Sequence, residues 1–203
     1  MKKIFLASSF KDVSEQFQSF MKKDLKGKTV TFIPTASLPE KQTFFVEAAI
    51  KSFATLGMVI DELEISQATP TEIRQKLESN DVIYVTGGNT FFLLQELKKS
   101  GADILIQQQV ADGKIYIGES AGAVVASPNI EYIKAMDDVK KAPELESFQS
   151  LNLVDISPVP HYASFPFKEV VENIITNYDT DLKLIPISNK QAILIDGDNI
   201  IRE

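Results

Sequence analysis

Ser120 stands between two glycines in Gly118-Glu119-Ser120-Ala121-Gly122, directly after the apolar run Ile115-Tyr116-Ile117. This is the G-x-S-x-G spacing of a nucleophile elbow, which holds a serine hydroxyl on a cramped turn where a strand becomes a helix. Glycines also serve ordinary tight turns and serine also caps helices, so the spacing means chemistry only if partners exist. A serine hydroxyl is a weak nucleophile at neutral pH and needs a base within hydrogen-bond reach. The chain has one histidine, His161, so a mechanism that needs an imidazole must use it. An oxyanion needs donors as well. The amide of Ala121, at the start of the expected helix, can supply one, and a backbone N–H of the turn Gly87-Gly88-Asn89 a second.

These residues need a frame that brings them together. Apolar runs of strand length (Ile4–Ser8, Thr29–Pro34, Val59–Ile65, Asp81–Thr86, Lys114–Ile117) alternate with helical patterns over Val13–Leu25, Lys41–Leu56, a short helix opened by Thr69-Pro70, Phe91–Lys99 and Ala102–Ala111. Such alternation predicts an α/β fold with a doubly wound, mostly parallel sheet flanked by helices. Ligands bind at the carboxyl ends of strands in such sheets. Gly87-Gly88-Asn89, Gly118–Gly122 and Pro160-His161 all fall at predicted strand ends. Residues Asn129–Asn152 are irregular and charged. Val154–Val159 resumes as a strand, Phe167–Asn177 is helical, and Leu182–Ile187 and Gln191–Ile195 are short strands, with Asp196-Gly197-Asp198-Asn199 a hairpin turn.

Composition narrows the functional classes. A length of 203 residues fits one domain spanning 1–203 with a sizeable core. A net charge of −7 argues against nucleic acid and anionic membranes as partners, and no run is long enough for a membrane span. The start, Met1-Lys2-Lys3-Ile4-Phe5-Leu6-Ala7, meets Lys11, Asp12 and Glu15 too soon for a signal peptide and reads as a first buried strand. Without cysteine there is no disulfide, thiolate metal site or cysteine nucleophile, and a single histidine leaves no multi-histidine zinc site. A cytoplasmic location is the default expectation. The composition does not address the oligomeric state.

The blocks "VTGGNTFFLL" (85–94), "IGESAGAVVASP" (117–128) and "PVPHYASF" (158–165) resemble the peptidase E family of serine peptidases, which includes aspartyl dipeptidase and, more distantly, cyanophycinase. The resemblance runs in order across most of the chain. It implies a fold like that of class I glutamine amidotransferases, short peptides as substrates, and no metal or organic cofactor. It makes Ser120 the nucleophile and His161 the base, with backbone at Gly88 and Ala121 forming the oxyanion hole.

Two departures from the family pattern bear on function. Where the family keeps the acidic member of its triad, in "LIPISNKQAILI" (184–195), this chain has Asn189. The family's acid after the elbow helix is best matched by Asp137, with Asp138 next. Either Asp137 supplies the negative partner of His161 or Asn189 orients the ring through its amide oxygen, without a charge to stabilise imidazolium. The dipeptidase reads its aspartyl substrate with an arginine downstream of the base, yet residues 162–201 hold no arginine. Lys168 and Lys183 are the cations near enough in sequence, and lysine does not reproduce a bidentate fork, so strict aspartyl preference is not expected. The reading is a serine peptidase that cleaves short peptides through an acyl-enzyme. Its rival is a weak or inert relative serving as a binding or regulatory module.

Overall fold

In β1 (Lys3–Ala7), Ile4 and Leu6 point to one face and Phe5 and Ala7 to the other, and all four are buried. Apolar side chains on both faces are what a strand covered by helices on both sides requires. The fold, taken from a computed structural model, is described for residues 2–203; Met1, the first residue of the predicted opening strand, lies outside them. β2 (Thr29–Ile33), β4 (Val82–Val85) and β5 (Ile115–Glu119) are buried almost throughout. With β3 (Val59–Glu62), β8 (Ala192–Asp196) and β9 (Asn199–Arg202) they make a seven-stranded sheet in the order β3-β2-β4-β5-β1-β8-β9. The first five pair in parallel, while β8 and β9 add an antiparallel hairpin beside β1.

Helices α1 (Phe10–Met21) and α2 (Phe44–Thr55) cover one face, which is strongly aromatic: Phe5, Phe10, Phe17, Phe32, Phe53 and Tyr84 pack together, with the Phe10 and Phe53 rings stacked at 4.6 Å. Burying each such ring stabilises the fold by about 1.5–3 kcal/mol. The other face is mostly aliphatic. It is covered by α3 (Pro70–Ser79), α4 (Thr90–Ser100), α5 (Ala102–Ala111), the single turn α6 (Ala121–Val124) and α7 (Lys168–Tyr178). The Thr69-Pro70 signal acts as expected: the Thr69 side chain accepts from the Glu72 amide at 3.2 Å, with proline in the first turn. No helix among the described residues is long and apolar enough to cross a membrane.

The strand expected over Val154–Val159 differs from the reading. It shortens to β6 (Ser157–Val159) and leaves the main sheet, pairing in parallel with β7 (Leu184–Pro186) as a separate two-stranded sheet. Pro158 and Pro186 explain this, since a proline has no N–H for the ladder of a central strand. The irregular stretch contains 3-10 turns at Glu131–Ala135 and Val139–Lys141 and is pinned by an Asn129–Gln149 bridge.

Candidate active site

β4, β5 and β1 are adjacent, and the chain leaves their carboxyl ends at Gly87-Gly88, Ser120 and Ser8. Ser120 adopts φ 48°, ψ −105°, a backbone state a non-glycine residue occupies at a cost of about 1–3 kcal/mol. The strain is held by the Ser120 amide donating to the Ala7 carbonyl at 2.8 Å, while the Ser120 carbonyl accepts from Ala123 and Val124. Gly118 and Gly122 allow close backbone packing. A Cβ on Gly122 would overlap the Val85 carbonyl, and one on Gly118 would overlap the Gly122 carbonyl. Gly88, at φ 135°, presses against Ala36 so closely that a Cβ there would overlap the Ala36 carbonyl.

The small sheet supplies the other bank on the same geometric rule. His161 follows the carboxyl end of β6 and Asn189 that of β7. Ser8 ties the banks together: its hydroxyl accepts from the His161 amide at 3.0 Å and donates to the Ile187 carbonyl at 2.9 Å. The imidazole stacks on the Phe167 ring at 4.6 Å. Ser120 Oγ lies 2.9 Å from His161 Nε2, and His161 Nδ1 lies 2.9 Å from Asn189 Oδ1. An amide oxygen only accepts, so Nδ1 carries the ring proton and Nε2 is left to accept from the Ser120 hydroxyl. Burial holds the imidazole below its ordinary pKa, against the opposing pull of Asn189, so the ring is neutral at neutral pH.

The two acidic candidates after the elbow lie elsewhere. Asp137 Oδ2 accepts from the Thr90 amide at 2.9 Å, capping α4, and its carboxyl is pushed up to about 6, chiefly by burial. The Asp138 carboxylate accepts from the Lys140 amide, and its carbonyl accepts from the Asn89 side chain. The excursion 129–152 thus returns to the Gly87–Asn89 turn. Of the candidates, the hydrogen bond to the His161 ring is made by Asn189. Among the described residues, the Gly88 and Ala121 amides donate to no protein acceptor, while the neighbouring Ser120, Gly122 and Asn89 amides all do.

Sequence reasoning missed two groups. Ser8 was predicted as the end of the first strand, and the strand-end rule that singled out Ser120 applies to it equally. Glu119, the middle residue of the elbow motif, is 3% exposed. Its carboxylate accepts from Tyr84 Oη at 2.6 Å and from the Phe10 amide at 2.8 Å. Burial raises its pKa and these donors oppose the rise. The carboxylate joins the elbow to the first turn of α1 and to β4.

These groups open onto one cavity of about 810 Å³, which Ser8, Gly87, Gly88, Ser120, His161 and Asn189 help to line. Lys168 and Lys183 are not in its wall; Lys183 instead pairs with Asp155. The lysines that do reach it are Lys11, Lys41 and Lys141, from other parts of the chain. No group of three potential metal ligands of the His, Cys, Asp or Glu type occurs among the described residues.

Comparison with known proteins places this architecture. Peptidase family S51 matches residues 4–202. The chain belongs to peptidase family S51. Family S51 is serine-type, and this member is a serine-type peptidase. It is 56% identical over 201 residues to the uncharacterized peptidase Lmo0363 of Listeria monocytogenes serovar 1/2a, covering 99% of this chain and 98% of that one. Peptidase E of Haemophilus influenzae is 33% identical over 141 residues, 70% of this chain and 61% of that protein. A crystal structure from Listeria monocytogenes EGD-e, of a protein described as a peptidase E candidate, superposes with a TM-score of 0.96 at 55% identity, covering 100% of this chain and 98% of the other. A peptidase from an acI-B1 Actinobacterium shares the fold, with a TM-score of 0.72 at 20% identity, over 96% of this chain and 83% of that one.

Proposed function

We propose that this S51 peptidase hydrolyses short peptides through an acyl-enzyme on Ser120. The observation that carries the reading is the continuous chain from Ser120 Oγ to His161 Nε2 and from His161 Nδ1 to Asn189 Oδ1, each link 2.9 Å, on a strained strand-to-helix turn. Ser120 Oγ attacks the peptide carbonyl carbon as its proton passes to His161 Nε2. The carbonyl oxygen becomes an oxyanion and takes hydrogen bonds from the Gly88 and Ala121 amides, which donate to no protein acceptor among the described residues. The intermediate collapses when Nε2–H gives its proton to the leaving amine. Water, activated by the same nitrogen, then cleaves the ester and restores Ser120. Throughout, Asn189 holds the Nδ1 proton and so the ring orientation, and it offers no charge to the imidazolium. The cavity volume suits a few residues of peptide more than a folded protein chain.

The decisive experiment combines kinetics with trapping. Ser120→Ala and His161→Ala should each lower kcat/KM by about ten-thousandfold or more, and the double variant should be hardly worse than either, because the pair acts as a unit. A fluorophosphonate should label Ser120 in the native protein. Hydrolysis surviving in folded Ser120→Ala protein would refute the serine mechanism.

A further inference from the structure

The wall of the cavity carries an unusual load of solvent-facing aromatic rings. Phe165 is 96% exposed and Phe44 is 66% exposed, and both line the cavity together with Phe45, Phe167 and Met136. Isolated exposed apolar residues are ordinary; several on both banks of one reactive cavity are not. Phe44 and Phe45 begin α2 on the serine bank, where the Phe45 ring would lie 3.8 Å from a Cβ on Gly87, beside Ser120. Phe165 and Phe167 stand on the histidine bank. The Phe165 backbone lies between two successive turns, closed by Ser164 N to His161 O at 3.0 Å and Phe167 N to Ser164 O at 2.8 Å.

The charges of the wall set the chemistry of the occupant. Lys141 pairs with Glu40 at 2.7 Å and Lys11 with Asp12 at 3.6 Å, which leaves Lys41, on the exposed rim, as the wall's lysine without an ion pair among the described residues. Against it stand the carboxyl groups of Asp137, Asp138 and the buried Glu119, none of them in an ion pair among the described residues. The wall contains no arginine. An acidic side chain would meet net repulsion and no bidentate partner, and a solvated lysine discriminates weakly.

We infer that the cavity selects peptides with an uncharged apolar side chain, aromatic or branched aliphatic, next to the scissile bond, held between the Phe44/Phe45 and Phe165/Phe167 banks. This rests on the Ser120 reading above. A pocket that contacts a side chain through apolar surface alone discriminates by about ten- to two-hundredfold. The test measures kcat and KM for two dipeptide series, X-Ala and Ala-X, with X as Phe, Leu, Gly, Asp and Lys, on the native protein, Phe165→Ala, Phe44→Ala and Ser120→Ala. In one series Phe and Leu should exceed Asp and Lys by about tenfold or more in kcat/KM. Phe165→Ala, whose exposed ring holds no core contact, should cut the Phe-to-Gly ratio by about five- to tenfold through KM with kcat little changed. Phe44→Ala should cut it in the same direction. Ser120-dependent hydrolysis that is indifferent to X, that favours Asp or Lys, or whose Phe-to-Gly ratio survives both phenylalanine variants overturns this inference and leaves the Ser120 reading standing. Hydrolysis persisting in Ser120→Ala, or no hydrolysis of any peptide in either series, overturns both.

Discussion

The two banks of the cavity are held by different physics. On the serine bank, backbone packs against backbone: Gly122 on Val85, Gly118 on Gly122 and Gly88 on Ala36, without room for a methyl group at any of the three. On the histidine bank, side chains hold the loops, through the Ser8 hydroxyl, the Asn189 amide and the face of Phe167. Backbone packing either fits or fails, whereas side-chain hydrogen bonds of about 0.5–1.5 kcal/mol can be exchanged with graded effect. Substitutions on the first bank should therefore act on folding, and those on the second on rate and pH dependence.

The sharpest break is Gly122→Ala. Its Cβ would overlap the Val85 carbonyl at the carboxyl end of the central strand β4, so β4 or the elbow must move. The expected loss is at least about 3 kcal/mol, on the scale of severe overpacking. Thermal unfolding should show a large drop in Tm or no soluble protein, and a Tm within a few degrees of native would show that the elbow is not backbone-locked.

Glu119→Gln probes the seam between structure and rate. Glutamine keeps the shape but presents an NH₂ to one of the donors from Tyr84 and Phe10, leaving an unmade bond of about 1–3 kcal/mol. Because Glu119 directly precedes Ser120 and anchors the elbow to β4 and α1, kcat should fall by roughly ten- to a hundredfold with KM little changed. An unchanged kcat in a folded variant would confine Glu119 to a structural role.

The smallest effect has the opposite sign. In Asn189→Asp a carboxylate replaces the amide oxygen 2.9 Å from His161 Nδ1. A negative charge favours the protonated ring, so the imidazole pKa, now held low by burial, should rise. The acid limb of kcat/KM should move to higher pH, and the plateau should rise several-fold because the imidazolium formed during attack is now stabilised. NMR can follow the titration cleanly, since His161 is the only histidine. An unmoved acid limb would mean that the Asn189 contact does not govern the ring.

How much of this was legible in the sequence divides along the same line. Long apolar runs made β1, β2, β4 and β5 readable to within a residue or two, and the glycine-rich strand ends pointed to Gly87-Gly88 and Ser120. The single histidine made His161 the one candidate base, and the family pattern pointed to both Asn189 and Asp137 as its partner. The structure separates the last two by local geometry: Asn189 meets the imidazole ring while Asp137 caps α4. Neither contact has a periodic trace, because each joins loops distant in sequence. The small sheet was hidden for a related reason. Val154–Val159 is apolar enough for a strand, and only the placement of Pro158 hinted that the main sheet would not accept it. The lysines of the cavity wall and the bridging carboxylate of Glu119 depend on tertiary contacts alone.

Ser8 has a consequence for the order of assembly. Its hydroxyl reaches His161 across 153 positions and Ile187 across 179. Such contacts close very long loops and form only after the entropy of those closures has been offset by other packing. A chain that has folded through β5 presents the strained serine without imidazole, amide or stacked ring beside it. On the Ser120 reading proposed above, the hydroxyl has its base only once the small sheet is docked. On that reading, hydrolysis requires the finished fold, because the serine and its base are brought together by contacts distant in sequence.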